Sequence, residues 1–108
     1  MGTHILLSLY GVRFDLLDDI ESIKLLFDQV VGCIGATTLN KFSYKFQPQG
    51  VTVVYALSES HLSLHSFPED NSVAIDCYTC GEMDTSKGAQ MFIDYFQPVE
   101  VNYQKVSR

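Results

Sequence analysis

The segment His61–Ser66 constrains this chain more than any other, because Leu62 and Leu64 alternate with His61, Ser63 and His65. Successive side chains of a strand point to opposite faces, so a period of two commits the segment to a β-strand with one apolar and one polar face. Such a strand needs neighbours. Thr37–Phe46 and Val51–Ser58 read as two of them, joined by the turn Gln47-Pro48-Gln49-Gly50. Pro68 ends the alternating strand, and Ser72–Thr79, rich in Val73, Ile75 and Tyr78, reads as the next. His4–Tyr10 reads as a first strand stopped by Gly11, and Val99–Tyr103 as a last one.

Two stretches switch to three- and four-residue spacing. Asp15–Val31 repeats Ile20, Ile23, Phe27, Val30 and Val31, which predicts a helix. Asp15, Asp18, Asp19 and Glu21 crowd its first turns, where the helix dipole favours negative charge, and Gly32 follows as a stop. Thr85–Phe96 carries Ala89, Phe92 and Phe96 on one stripe, and Pro98 closes it. Strands plus two amphipathic helices predict an α+β two-layer sandwich, an antiparallel sheet with both helices on one face.

A length of 108 residues fits one domain, 1–108. With 46% hydrophobic residues the chain has enough apolar material to fold without disulfide or metal staples. Seven basic residues against 13 acidic give a net charge of −6, with an isoelectric point of about 4.7. A net negative domain without a basic cluster repels a phosphate backbone, so nucleic acid is excluded as a partner. Three cysteines form no disulfide frame, which fits a reducing, cytoplasmic setting. The start MGTHILLSLYG has neither a positively charged leader nor a cleavage site, so no signal peptide is expected. Its apolar run falls far short of the about 20 residues that span a bilayer, so no membrane association is expected.

The chemistry concentrates in SESHLSLHSFPE, Ser58–Glu69, with two histidines, four serines and two glutamates. His65 taken alone suits a structural histidine; Ser60, His61 and Ser63 nearby favour a base. A Ser–His–Asp hydrolase does not fit, because no G-x-S-x-G elbow is present and Ser60 does not sit at a strand-to-helix turn. Cys77-Tyr-Thr-Cys80 resembles a redox or zinc pair. On an extended strand, however, its two thiols face opposite sides, and a lone pair lacks further ligands. Cys77 therefore reads as a core thiol, and Cys80, at the strand end, as one free to enter a pocket. Phe46 and Phe67 read by pattern as core aromatics, and Glu69 as a solvated loop carboxylate. The residues supply a nucleophile, a base and a thiol without yet defining a reaction.

Three motifs define it: Phe46-x-Pro48-x-Gly50-Val51-Thr52, Glu59-Ser60-His61-Leu62-Ser63-Leu64-His65-Ser66-Phe67-Pro68-Glu69, and Asp76-x-x-Thr79-Cys80-Gly81. With His4, Leu7, Tyr10, Gly11 and the Gly35–Thr37 segment, they resemble the short prokaryotic S-adenosylmethionine decarboxylase proenzymes, which are pyruvoyl enzymes. The resemblance spans nearly the whole chain. It implies self-cleavage between Glu59 and Ser60 into chains 1–59 and 60–108. Ser60 Oγ attacks the Glu59 carbonyl, and loss of the Ser60 α-proton then leads to a pyruvoyl group at the new N-terminus. His65 is implied as the processing base and Thr52 as the processing hydroxyl. The pyruvoyl group forms a Schiff base with the substrate amine and acts as the electron sink; no metal is implied. Cys80 is implied as the proton donor, Phe46 as the aromatic against adenine, and Glu69 as the acceptor for the ribose hydroxyls. A homodimer and a role in spermidine synthesis are also implied.

Ser60 and His65 differ by an odd number, so on one flat strand they face opposite sides. Their meeting predicts a bend or bulge near Glu59–His61. The chain departs from the family pattern at Thr52 (usually serine), Val53 (commonly glycine), Phe67 (tryptophan) and Asp70-Asn71-Ser72 (a Tyr-Gly-Tyr-like segment). Two alternatives follow: the same pyruvoyl chemistry on L-ornithine or L-arginine, or an unprocessed, non-catalytic binding homologue.

Overall fold

A computed structural model describes residues 2–58, 60–80 and 83–108. The elements run β1 (Thr3–Tyr10), α1 (Phe14–Leu17), α2 (Ile20–Ile34), β2 (Thr38–Lys45), β3 (Val51–Leu57), β4 (Ser60–Phe67), β5 (Ser72–Thr79), α3 (Thr85–Phe96) and β6 (Glu100–Ser107), with a short 3-10 turn at Pro68–Asp70. All strand pairs are antiparallel, in the order β2-β3-β4-β5-β1-β6. Both long helices lie on one face, as the alternation requires. Among the described residues, no helix is long and apolar enough to cross a membrane.

The core forms where the two periodicities meet. Ile23, Phe27, Val30 and Ile34 of α2, with Phe92 and Phe96 of α3, pack on Ile5, Leu7, Val53, Leu62, Leu64 and Ile75 of the sheet. Phe27 is fully buried and meets Tyr55 and Phe92 edge-on at centroid distances of 5.0 and 5.6 Å. Truncating such a ring to alanine costs about 3–5 kcal/mol. Tyr55 extends beyond the core, and its hydroxyl donates to Asp28 Oδ1 at 2.7 Å. Burial, with that carboxylate beside it, raises the phenol well above its ordinary range.

Three expectations change. The first helical stretch is two helices, because Asp19 leaves helical geometry and caps α2, accepting from the Ser22 N–H at 3.1 Å. Gly32 is helical rather than a stop. Burial of Val30, Val31 and Ile34 carries α2 on to Gly35, whose φ of 80° is the left-handed conformation that closes a helix at little cost to glycine. Strand β6 runs four residues beyond Tyr103, pairing with β1 from Tyr10↔Glu100 to Thr3↔Ser107.

Ser66 ties the sheet to α1. Its buried hydroxyl accepts from the Val51 N–H at 2.9 Å and donates to the Leu17 carbonyl at 2.7 Å. The turn between β2 and β3, which contains a cis Gln47–Pro48 peptide, is pinned from below by Asp18. Asp18 accepts from the Gly50 N–H at 2.8 Å and pairs with Lys45 Nζ at 3.0 Å. Gly50 has φ 112°, a conformation that favours glycine.

Candidate active site

The sheet face away from the helices carries the chemistry. Register places Thr52, His61, Ser63, His65, Asp76 and Tyr78 on that face, opposite in parity to buried Val53, Leu62, Leu64, Ile75 and Cys77. The candidate residues divide between the two ends of the strands.

At one end, Thr52 and His65 are direct partners across β3 and β4, with Oγ1 2.9 Å from Nδ1. They line a cleft of about 350 Å³ with Phe46, Phe67 and Glu69. Phe46 is 45% exposed and Phe67 42%, so neither is a core aromatic. The core reading fails because sequence alternation cannot say which sheet face the helices leave bare. Phe46 stands against Tyr44 at a centroid distance of 4.8 Å and presents its remaining surface to the cleft. Glu69 sits on the turn that ends β4 and is exposed, free to accept hydrogen bonds at the rim.

At the other end lie Ser60 and Cys80. Ser60 opens β4 opposite Leu57, half-buried, and its hydroxyl reaches the Ser58 carbonyl at 3.4 Å. The pair His61↔Tyr78 puts Ser60 and Cys80 at the same end of neighbouring strands. Cys80 is half-exposed, whereas Cys77 is buried in the core. Burial, with the Asp76 charge nearby, pushes the Cys77 thiol up to about 11. The two thiols thus face apart, as expected, and Cys77 is chemically quiet.

The two ends do not meet within one chain. The β3–β4 ladder is regular from Thr52↔His65 to Leu57↔Ser60, so the expected bulge is absent from residues 60–65. Five steps of regular strand separate Ser60 from His65 by roughly 16 Å. Glu59, the expected cleavage residue, lies outside the described residues.

Between the ends is a polar cluster that sequence reasoning did not assemble. Asp76 Oδ2 accepts from Nε2 of His4 at 2.8 Å and of His61 at 3.1 Å, and Ser63 Oγ donates to Asp76 Oδ1. Burial alone would raise the Asp76 carboxyl; the hydrogen bonds from Ser63, His4 and His61 outweigh it and hold the group below the ordinary carboxylate range. The ligand atoms of His4, His61 and Asp76 lie within 4.8 Å of one another, and among the described residues this is the set able to hold a cation. A cation there would have to displace both ring N–H groups from Oδ2. The available signal was strand parity, since Asp76 falls between buried Ile75 and Cys77 of β5, and His4 shares the parity of exposed Leu6 in β1.

Known proteins share this fold and much of its sequence. The S-adenosylmethionine decarboxylase family profile matches residues 3–108. An S-adenosylmethionine decarboxylase proenzyme 2 of Bacillus cereus is 44% identical over 111 residues, covering 99% of this chain and 88% of that protein. The proenzyme of Brevibacillus brevis is 45% identical over 98 residues, covering 91% of this chain and 71% of that protein. The crystal structure of adenosylmethionine decarboxylase from Aquifex aeolicus superposes with a TM-score of 0.91 at 35% identity, covering 100% of this chain and 90% of that one. A Trypanosoma brucei AdoMetDC monomer shares the fold, with a TM-score of 0.71 at 13% identity, over 94% of this chain and 44% of that one. The chain belongs to the S-adenosylmethionine decarboxylase family.

Proposed function

We propose that this chain, an S-adenosylmethionine decarboxylase by family, cuts itself between Glu59 and Ser60 and converts Ser60 into its own pyruvoyl group. The observation that carries this reading is the Thr52–His65 pair beside the Phe46–Glu69 cleft, with Ser60 and Cys80 gathered at the opposite end of the neighbouring strands β4 and β5. Ser60 fits the group: it begins a strand, its side chain is half-buried, and Cys80 ends the neighbouring strand. In processing, Ser60 Oγ attacks the Glu59 carbonyl, His65 handles the protons and Thr52 steadies both the imidazole and the developing oxyanion. The mature pyruvoyl group supplies a ketone that takes up the substrate amine and draws off electrons as carbon dioxide leaves. Phe46 offers a π face to the adenine, Glu69 accepts from both ribose hydroxyls, and Cys80 returns a proton to the carbon that lost carbon dioxide.

Roughly 16 Å is too far for His65 to serve Ser60 of its own chain. The working unit is therefore a homodimer, in which His65 and Thr52 of one copy meet Ser60 and Cys80 of the other. The bare sheet face supports this: Phe42, Tyr44, Phe46 and Phe67 are all exposed on it, apolar area that a second copy would cover. The family link and three free cysteines support a cytoplasmic enzyme whose product supplies aminopropyl groups for spermidine.

Glu69 suits either ribose hydroxyls or the distal cation of ornithine or arginine, whereas Phe46 favours the nucleoside. The altered segment 70–72 does not line the cleft. Asn71 turns away from it, donating through Nδ2 to the Val12 carbonyl at 3.1 Å while its own carbonyl accepts from the Val12 N–H at 2.9 Å. Denaturing mass spectrometry, followed by carbon dioxide release from each of the three compounds, tests the reading. Chains 1–59 and 60–108 with turnover of S-adenosylmethionine are expected. An uncut protein, or turnover of ornithine or arginine alone, would overturn it.

A further inference from the structure

Two of the chain's three histidines take no part in the proposed reaction, and the sheet brings both to one carboxylate. Register sets His61 of β4 and His4 of β1 opposite Tyr78, one on each side of β5. Asp76 lies two residues before Tyr78 on the same outer face, so three neighbouring strands each send a ligand to one point. Oδ2 of Asp76 stands 2.8 Å from Nε2 of His4 and 3.1 Å from Nε2 of His61, and all three atoms lie within 4.8 Å of one another. The two imidazoles meet nearly at right angles (centroids 5.9 Å, 88°). The Tyr78 ring backs both, stacked on His61 at 6.0 Å and edge-on to His4 at 5.7 Å. Ser63 Oγ donates to Oδ1, which orients the carboxylate and leaves Oδ2 to the histidines.

We propose that His4, His61 and Asp76 form a binding site for one zinc-type divalent ion, held by the two Nε2 atoms and Oδ2 with water in the fourth position. Metal–ligand bonds of about 2.0–2.1 Å in a tetrahedral array put ligand atoms about 3.3 Å apart. The pairs at 2.8 and 3.1 Å therefore need to open by only about 0.5 Å or less to reach that spacing. Two imidazoles select a borderline transition ion, whereas magnesium and calcium take sets of oxygens. Binding breaks both N–H···Oδ2 hydrogen bonds. Each neutral ring then carries its proton on Nδ1, exchanged through solvent, and the freed Nε2 lone pairs join Oδ2 on the ion with no electron transferred. The ion's charge meets the Asp76 carboxylate in a chain of net charge −6. Side-chain exposures of 20%, 43% and 25% for His4, His61 and Asp76 give it a path in from the outer face. A bound ion stitches β1, β4 and β5 together one residue from Ser60, a structural role that holds whether or not Ser60 is processed.

Zinc titration of the untagged, chelator-treated full chain tests the proposal. One equivalent per chain is expected to bind and to move the ¹⁵N signals of two of the three histidines together. Tm should rise by several degrees once free zinc exceeds Kd about a hundredfold. His4→Gln and Asp76→Asn are each expected to abolish this binding. Ser63→Ala, which removes only the hydrogen bond to Oδ1, should weaken it by about 10–100-fold. Cobalt in place of zinc should show visible d–d bands without a thiolate charge-transfer band. Binding that survives His4→Gln, a thiolate band from Cys33 or Cys80, or a shift confined to one histidine would overturn the site. So would a wild-type chain that shows no saturable zinc binding, a result that no folding defect of a variant can explain.

Discussion

Thr52 and His65 face each other across β3 and β4, with Oγ1 2.9 Å from Nδ1. That contact fixes the imidazole on the outer sheet face and leaves Nε2 for a proton. Thr52 differs from the serine usual in the family by one methyl, which keeps the hydroxyl. Thr52→Ser is therefore expected to process like the wild type. Thr52→Val, which removes the hydroxyl at nearly constant volume, is expected to slow processing by on the order of 10²-fold. The time course of the two chains on denaturing gels checks both, and equal rates for Val and Thr would dismiss the role.

Phe46 is held at the cleft by the turn beneath it and by Tyr44 at its side. Phe46→Ala removes the stacking face without touching the core, so its effect should fall on the substrate rather than on folding. Weakening of S-adenosylmethionine use by roughly 1–3 kcal/mol in kcat/KM is expected, by the magnitude of base–aromatic stacking. Unchanged kcat/KM would remove the adenine from this position.

Asp18 links cleft geometry to pH. Burial raises its carboxyl, but the Gly50 N–H and the Lys45 ammonium more than offset this, so it lies below the ordinary carboxylate value. A carboxyl depressed in the folded state stabilises the fold fully above its unfolded value of about 3.9 and loses that contribution as pH falls through the folded value. The 46–50 turn is thus expected to loosen only in strong acid. Asp18→Asn should remove the contribution at neutral pH, costing about 1–3 kcal/mol in urea unfolding and raising KM by loosening Phe46. A variant as stable as the wild type at pH 7 would contradict this.

Strands are legible from sequence because the period of two is strong wherever one face is buried, as in Leu62 and Leu64. The split at Asp18–Asp19 is hidden, since acidic residues suit a first turn and a cap equally well; the Asp19-x-x-Ser22 spacing is the available sign. Phe46 and Phe67 read as core because alternation gives two faces without naming the covered one. The odd spacing of Ser60 and His65 is visible, and within a single strand a bend is what resolves it. A regular ladder leaves the two residues apart, and the proposed homodimer resolves the spacing differently, by requiring a second chain.

That requirement is the centre of the account, and a complementation experiment tests it most directly. Ser60→Ala has no nucleophile and His65→Ala no base, so each should remain uncut when expressed alone. Co-expressed with different tags, they are expected to form mixed dimers in which Ser60 of the His65→Ala chain meets His65 of the Ser60→Ala chain. The His65→Ala chain is then expected to be cleaved into 1–59 and 60–108, while the Ser60→Ala chain stays whole. Cleavage of His65→Ala alone, or mixed dimers in which both chains remain uncut, would contradict the account.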